Sequence, residues 1–155
     1  MIKVNVITSN INWFKYIKNP NNYLDRKIDK LNSNNSKVTK NFFFCTLLLS
    51  GNKEIKYLNK KFRKKNSTTD VLSFPFHTKK ELKKNFKIQK EIYIGDIIIN
   101  LDKIKNKKLL KGFKNEFNRL WIHGLVHLFG HDHKKDKDFR IMNKIEIEYL
   151  NLINV

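Results

Sequence analysis

The sequence predicts an α/β or α+β fold in which a central mixed sheet of about four strands is flanked by helices. Two observations carry the fold class. Apolar runs of strand length are interspersed with stretches of helical periodicity, a mixture that neither an all-helical nor an all-strand architecture accommodates. At 155 residues and 40% hydrophobic content, with no internal repeat or long linker, the chain supplies apolar material for one core, which predicts a single domain over residues 1–155.

Ile2, Val4 and Val6 alternate with Lys3 and Asn5, the period of a strand with one buried face. Ile11, Phe14, Ile17, Leu24, Ile28 and Leu31 fall near helical spacing, and Asn19-Pro20 with the Asn pair after it divides that helix in two. Asn32 to Lys40 is polar and reads as a loop. Phe42 to Leu49 is a nearly unbroken apolar run, suited to a central strand covered on both faces, with Cys45 in the core. Ser50-Gly51-Asn52 turns into a helix whose stripe is Ile55, Leu58 and Phe62 and whose end lies near Arg63. Beyond polar Lys64 to Thr69, Val71 to Phe74 reads as a strand that Pro75 marks as an edge or an exit, and Lys79 to Lys90 as a charged connection. Glu91 to Ile99 is a further strand in which Gly95-Asp96 marks a bulge or a close backbone approach. Asn100 is placed to cap a helix through Ile104 and Leu109, ending near Gly112. The next helix carries Phe113, Phe117, Leu120, Trp121 and Leu128 as far as Gly130, and Phe139, Met142, Ile145, Tyr149 and Leu152 form a final amphipathic one.

No apolar stretch approaches the roughly 18 residues of a spanning helix, and the opening MIKVNVITSN alternates where a signal peptide would be continuously apolar. The expectation is a soluble, cytoplasmic protein with no membrane partner. A single cysteine, Cys45, gives neither a disulfide nor a CxxC pair, so a metal site must rest on histidine and carboxylate. The net charge of +19 would ordinarily indicate a polyanionic partner. Only Arg26, Arg63, Arg119 and Arg140 among the 33 basic residues are arginine, and Lys, Asn, Ile and Phe crowd the whole chain, so charge alone assigns no partner.

Four of the five histidines stand in the eleven-residue segment HGLVHLFGHDH, residues 123–133. On a helix, His123 and His127 project from one face a turn apart, close enough to share an ion. Gly130 can adopt the left-handed conformation that ends the helix and brings His133 back as a third ligand. This is the spacing of HExxHxxGxxH zinc sites. Three neutral imidazoles leave a tetrahedral zinc ion one open position for water, the mark of a catalytic site. His131, four beyond His127, is the competing ligand if the helix runs on, and Gly130 argues against it. Asp132 is read as orienting an imidazole or capping the turn, Asp70 and Ser73 as holding the loop-to-strand turn, and Glu146 as a carboxylate that either supports a ligand from behind or stands at the packing edge of the last helix. His77 is read as a polar loop residue. Position 124 is Gly where zinc peptidases carry the Glu that accepts a proton from water. A slim helix there leaves room for a bulky substrate or for another element.

With these residues assembled, the chain resembles the YbeY family of bacterial endoribonucleases. The likeness covers nearly the whole length and rests on NKKFRKKNSTTDVLSFPF at 59–76, IGDIIIN at 94–100 and HGLVHLFGHDH at 123–133. It implies a sheet flanked by helices, one Zn2+ on His123, His127 and His133, and Arg63 as a functional residue in the same cleft. It also implies single-stranded RNA as substrate, maturation of the small-subunit rRNA 3′ end and ribosome quality control as the task, and the ribosome or its small subunit as partner. Arg63 has a physical case besides: a guanidinium fork matches phosphate oxygens bidentately, although a cation also suits a helix C-terminus. Two other readings compete. One is a metallopeptidase, and the other a noncatalytic ribosome-assembly factor whose zinc has a fourth protein ligand, for which Asp132, His131 or Cys45 would serve.

Overall fold

The computed structural model describes residues 1–34 and 41–154. Among these residues, four strands and five α-helices run in the order β1 (Ile2–Thr8), α1 (Pro20–Asn34), β2 (Phe42–Ser50), α2 (Asn52–Arg63), β3 (Val71–Pro75), α3 (Lys79–Ile88), β4 (Glu91–Asn100), α4 (Leu110–Leu128) and α5 (Asp136–Asn154). The sheet order is β1-β2-β4-β3, with β1, β2 and β4 parallel and β3 an antiparallel edge. This is the mixed α+β sheet the sequence predicts. Ile2, Val4 and Val6, with Phe43, Cys45, Leu47 and Leu49 and with Ile92, Ile94, Ile97 and Ile99, belong to one large core with buried residues of α1, α4 and α5. On the opposite face, the buried hydrophobics among the described residues are Leu72 and Ile98 of the sheet and Ile55 of α2 above them. β2 is therefore not covered on both faces as expected: its burial alternates, and Phe42 is exposed. The reason is that α2 reaches only the end of the sheet marked by Leu48 and Ile98.

The predicted division of the first helix appears as a 3-10 turn, Ile11–Lys15, followed by α1, which opens on Pro20. In the tighter turn Trp13 is the buried residue and donates its indole N–H to the Ser50 carbonyl at 2.9 Å, whereas Ile11 and Phe14 face solvent. The expected loop is helical through Asn34, and residues 35–40 of it lie outside the described residues. Lys79 to Lys90 is not a mere connection. Thr78 and Glu81 form a reciprocal capping box, and Leu82 and Phe86, one turn apart, anchor α3 on the core. Two apolar residues among so many lysines made a stripe too thin to read. The helix expected after Asn100 shrinks to the 3-10 turn Leu101–Lys103: Asn100 caps it as expected, but the backbone becomes extended at Ile104, and Asn106 then takes a positive φ of 59°. Gly95, with φ 131° at the register shift between β2 and β4, has the Phe74 carbonyl 2.2 Å from where a Cβ would stand, so the bulge and the close approach coincide.

Candidate metal centre

The site begins with the way α4 ends. The Gly130 N–H donates to the His127 carbonyl at 2.9 Å and the His131 N–H to Val126 at 3.4 Å, the paired bonds of a Schellman cap, with Gly130 at φ 83°. That reversal folds the chain back over the last turn. The Nδ1 of His127 consequently lies 2.9 Å from the His131 carbonyl, and His133 comes within reach of the helix face that bears His123 and His127. One ligand atom from each of His123, His127 and His133 can be chosen so that all lie within 4.8 Å of one another, and the Nε2 atoms of His123 and His127 are 3.2 Å apart.

On its other ring nitrogen His123 meets Glu146 of α5, with Nδ1 2.8 Å from Oε1. A carboxylate and a carbonyl thus engage the Nδ1 atoms of His123 and His127, fixing the tautomer in which each Nε2 lone pair is offered to the common space. Burial lowers the pKa of His127; the bond to His131 opposes this, while the neighbouring imidazoles add to it. The neutral ring that a metal ligand must be is favoured there. His133 is exposed, so one side of the cluster faces solvent. Among the described residues the group able to hold an ion consists of these three histidines. The alternatives for a fourth ligand are engaged elsewhere. Asp132 accepts the His133 N–H at 2.7 Å and pairs with Lys134, the ring of His131 borders a cavity with Leu82 and Phe86, and Cys45 is buried in β2. The donor set of three imidazoles fits zinc with a coordination position to spare.

Gly124 stands next to His123 on the sheet side of α4. A Cβ there would lie 2.7 Å from Cγ2 of Ile97 and 3.1 Å from Oγ of Ser73, so of the two readings of this glycine the structure supports close packing of another element. The peptidase Glu would be driven into the sheet. Ser73 is itself buried, and its carbonyl accepts from Nη2 of Arg63 at 2.8 Å, with the guanidinium carbon 5.6 Å from the Phe74 ring centroid. Arg63, the last residue of α2, is thereby tethered to β3, one residue removed from the histidine helix. Asp70 accepts the Val71 N–H at 2.8 Å and so holds the entry to β3 as expected, while Oδ2 lies 3.8 Å from Arg119.

Two further residues stand at this site, Glu146, for which a supporting role was one of two readings, and Arg119, which the sequence reading did not single out. Glu146 is the partner of His123; its signal was a lone carboxylate four residues after buried Met142 and three before Tyr149, on the packed edge of α5. Arg119 stands one turn before His123 and is chelated by Glu116 through bonds of 2.9 and 3.1 Å, which together with Asp70 and Glu146 raise its pKa against the opposing effect of burial. The spacing 119, 123, 127 marked it.

A family model described as "Endoribonuclease YbeY" matches residues 8–154. The Pelagibacter ubique endoribonuclease YbeY is 43% identical over 149 residues, covering 94% of this chain and 92% of that protein. This chain belongs to the YbeY family. A YbeY protein of Ehrlichia canis is 31% identical over 161 residues, covering 100% of this chain and 94% of its own length. The solution structure of a Thermotoga maritima protein shares the fold, with a TM-score of 0.59 at 23% identity over 97% of this chain and 89% of that one.

Proposed function

We propose that this YbeY family member is a zinc-dependent endoribonuclease, specific for single strands, that acts in the cytoplasm on the small-subunit rRNA 3′ end and in ribosome quality control, with the ribosome or its small subunit as partner. The observation that most supports metal-dependent hydrolysis is the convergence of His123, His127 and His133, two of them held from behind at Nδ1 and the cluster open to solvent on one side. The RNA substrate and the ribosomal task rest on the family. His123, His127 and His133 would hold the ion, which when bound supplies Lewis acidity to a phosphoryl oxygen and lowers the pKa of water. Glu146 keeps His123 oriented and offsets positive charge gathered at the cluster. Arg63 offers a guanidinium anchored at Ser73 to a phosphate that carries increasing negative charge during cleavage. Gly124, with no room for a proton-accepting side chain, weighs against the peptidase reading.

Unstructured RNA and casein, incubated side by side with the zinc-loaded protein, separate the two hydrolases. RNA should be cleaved and casein left intact. His127→Ala should lose both metal and cleavage, whereas Arg63→Glu should lose cleavage and keep its metal. Cleavage that survives in both variants would trace the activity to a contaminant, and digestion of casein alone would overturn the nuclease assignment.

A further inference from the structure

Away from the histidines, the 3-10 turn Ile11–Lys15, α1 and the start of α4 border a groove of about 650 Å³. It is lined by Lys15, Lys18, Arg26, Lys27, Lys30 and Lys114 and by no aspartate or glutamate, although Asp25 and Asp29 stand on the same helix. A lysine-rich composition by itself scatters cations among acids, as where Lys134 meets Asp132. Here like charges are gathered in a concavity, which focuses a positive potential. The ammonium groups of Lys27 and Lys114, from two different helices, both approach the Tyr23 ring, at 5.9 and 5.8 Å from its centroid. Lys27 Nζ donates to the Ile153 carbonyl at 2.9 Å, and burial first, then the like charges of Lys30 and Lys114, hold its pKa down.

The groove also leads somewhere. Tyr23, Lys27, Leu110 and Lys114 border an adjoining hollow with Asn115, Asn118 and Asn154, and those three asparagines border the next, which contains Arg119 and its partner Glu116. Arg119 is one helical turn from His123. A polar track thus joins the basic groove to the helix face that carries the metal ligands.

We propose that the groove between α1 and α4 docks the phosphate backbone of single-stranded RNA upstream or downstream of the point of cleavage, and that the strand follows the asparagine track toward the histidines. This rests on the ribonuclease reading above. Lysines bind phosphate as point charges, so the docking is indifferent to base sequence and sensitive to salt. RNA is favoured over an anionic bilayer because the charges line a recess that continues to the candidate catalytic face, whereas a bilayer meets a protein across a broad surface.

Anisotropy of a labelled polyuridine strand, titrated with the zinc-loaded full chain at several salt concentrations, tests this. The variant Lys15→Gln/Lys18→Gln/Arg26→Gln changes only exposed residues, and Lys80→Gln/Lys84→Gln/Lys87→Gln on α3 removes the same charge elsewhere. The groove variant should bind about tenfold more weakly at low salt and lose about two from the slope of log K against log salt, with unchanged metal content. The α3 variant should stay within about twofold of wild type under that charge-contact arithmetic. Equal weakening in both, or none in the groove variant, would overturn the proposal. So would intact RNA binding with loss of adhesion to phosphatidylglycerol vesicles, which would assign the groove to membrane. Cleavage is scored separately: groove-dependent binding without any cleavage by wild type would support the docking site and sink the ribonuclease reading.

Discussion

The Nε2 atoms that His123 and His127 turn toward each other depend on what the opposite ring nitrogen touches. Removing the carboxylate in Glu146→Ala frees His123 to rotate and to change tautomer, so metal affinity should fall about 10- to 100-fold, as is usual for such supporting partners. Glu146→Gln, which keeps an acceptor oxygen, should lie between. Chelator competition reads both, and wild-type affinity in Glu146→Ala would show that the 2.8 Å contact has no orienting role. Gly124 is a second single-residue test. With Ile97 2.7 Å from the missing Cβ, Gly124→Ala forces α4 away from the sheet and should cost about 1–3 kcal/mol in denaturant unfolding. A variant as stable as wild type would mean that the helix can retreat freely.

At the scale of elements, α3 shows how a helix with two inward residues persists. Its capping box satisfies donors that the first turn would otherwise leave open: Glu81 N–H to Thr78 Oγ1 at 3.3 Å, and Thr78 N–H to Glu81 Oε2 at 2.7 Å. Thr78→Ala should therefore cost about 1 kcal/mol by thermal or urea unfolding. The backbone and side-chain bonds from Thr78 hold the Glu81 carboxyl below the usual glutamate range. A depressed carboxylate pKa adds stability that is in place above the unfolded value and disappears as pH falls through the folded one. The Glu81 carboxyl should thus titrate below the usual glutamate range in an NMR pH series and return to that range in Thr78→Ala. Titration at the ordinary value in wild type would mean the box does not form. The C-terminal cap of α4 works by the same logic with a different outcome, since ending the helix at Gly130 is also what presents the His131 carbonyl to His127.

For the molecule as a whole, the histidine cluster ties together α4, the turn after it and, through Glu146, α5. An ion that binds only this folded arrangement stabilises by mass action, by about 2.7 kcal/mol at a hundredfold excess over Kd. At this chain length that is a rise in Tm of about 5 to 10 °C. Adding zinc to chelator-treated protein should produce it, and His127→Ala should abolish it. An unchanged Tm in wild type would mean that no ion binds, or that it binds the unfolded chain as well. Among the described residues no helix is long and apolar enough to cross a membrane, in keeping with the absence of a spanning stretch in the sequence.

What the sequence determined by itself was whatever depends on local period and on side-chain chemistry. Alternation placed β1, continuous apolar runs placed β2 and β4, and the four-residue spacing with Gly130 placed His123, His127 and His133 on one candidate site, because helix pitch and left-handed glycine geometry act over a few residues. The thin stripe of α3, the early halt at Ile104, the bare half of the outer sheet face and the pairing of His123 with Glu146 were decided only by the tertiary structure. Each depends on which distant surface packs against a segment, and that information is carried by no single stretch of chain. The groove of like charges belongs with them, since its cations come from α1, α4 and the turn before α1 and meet only once those elements have packed.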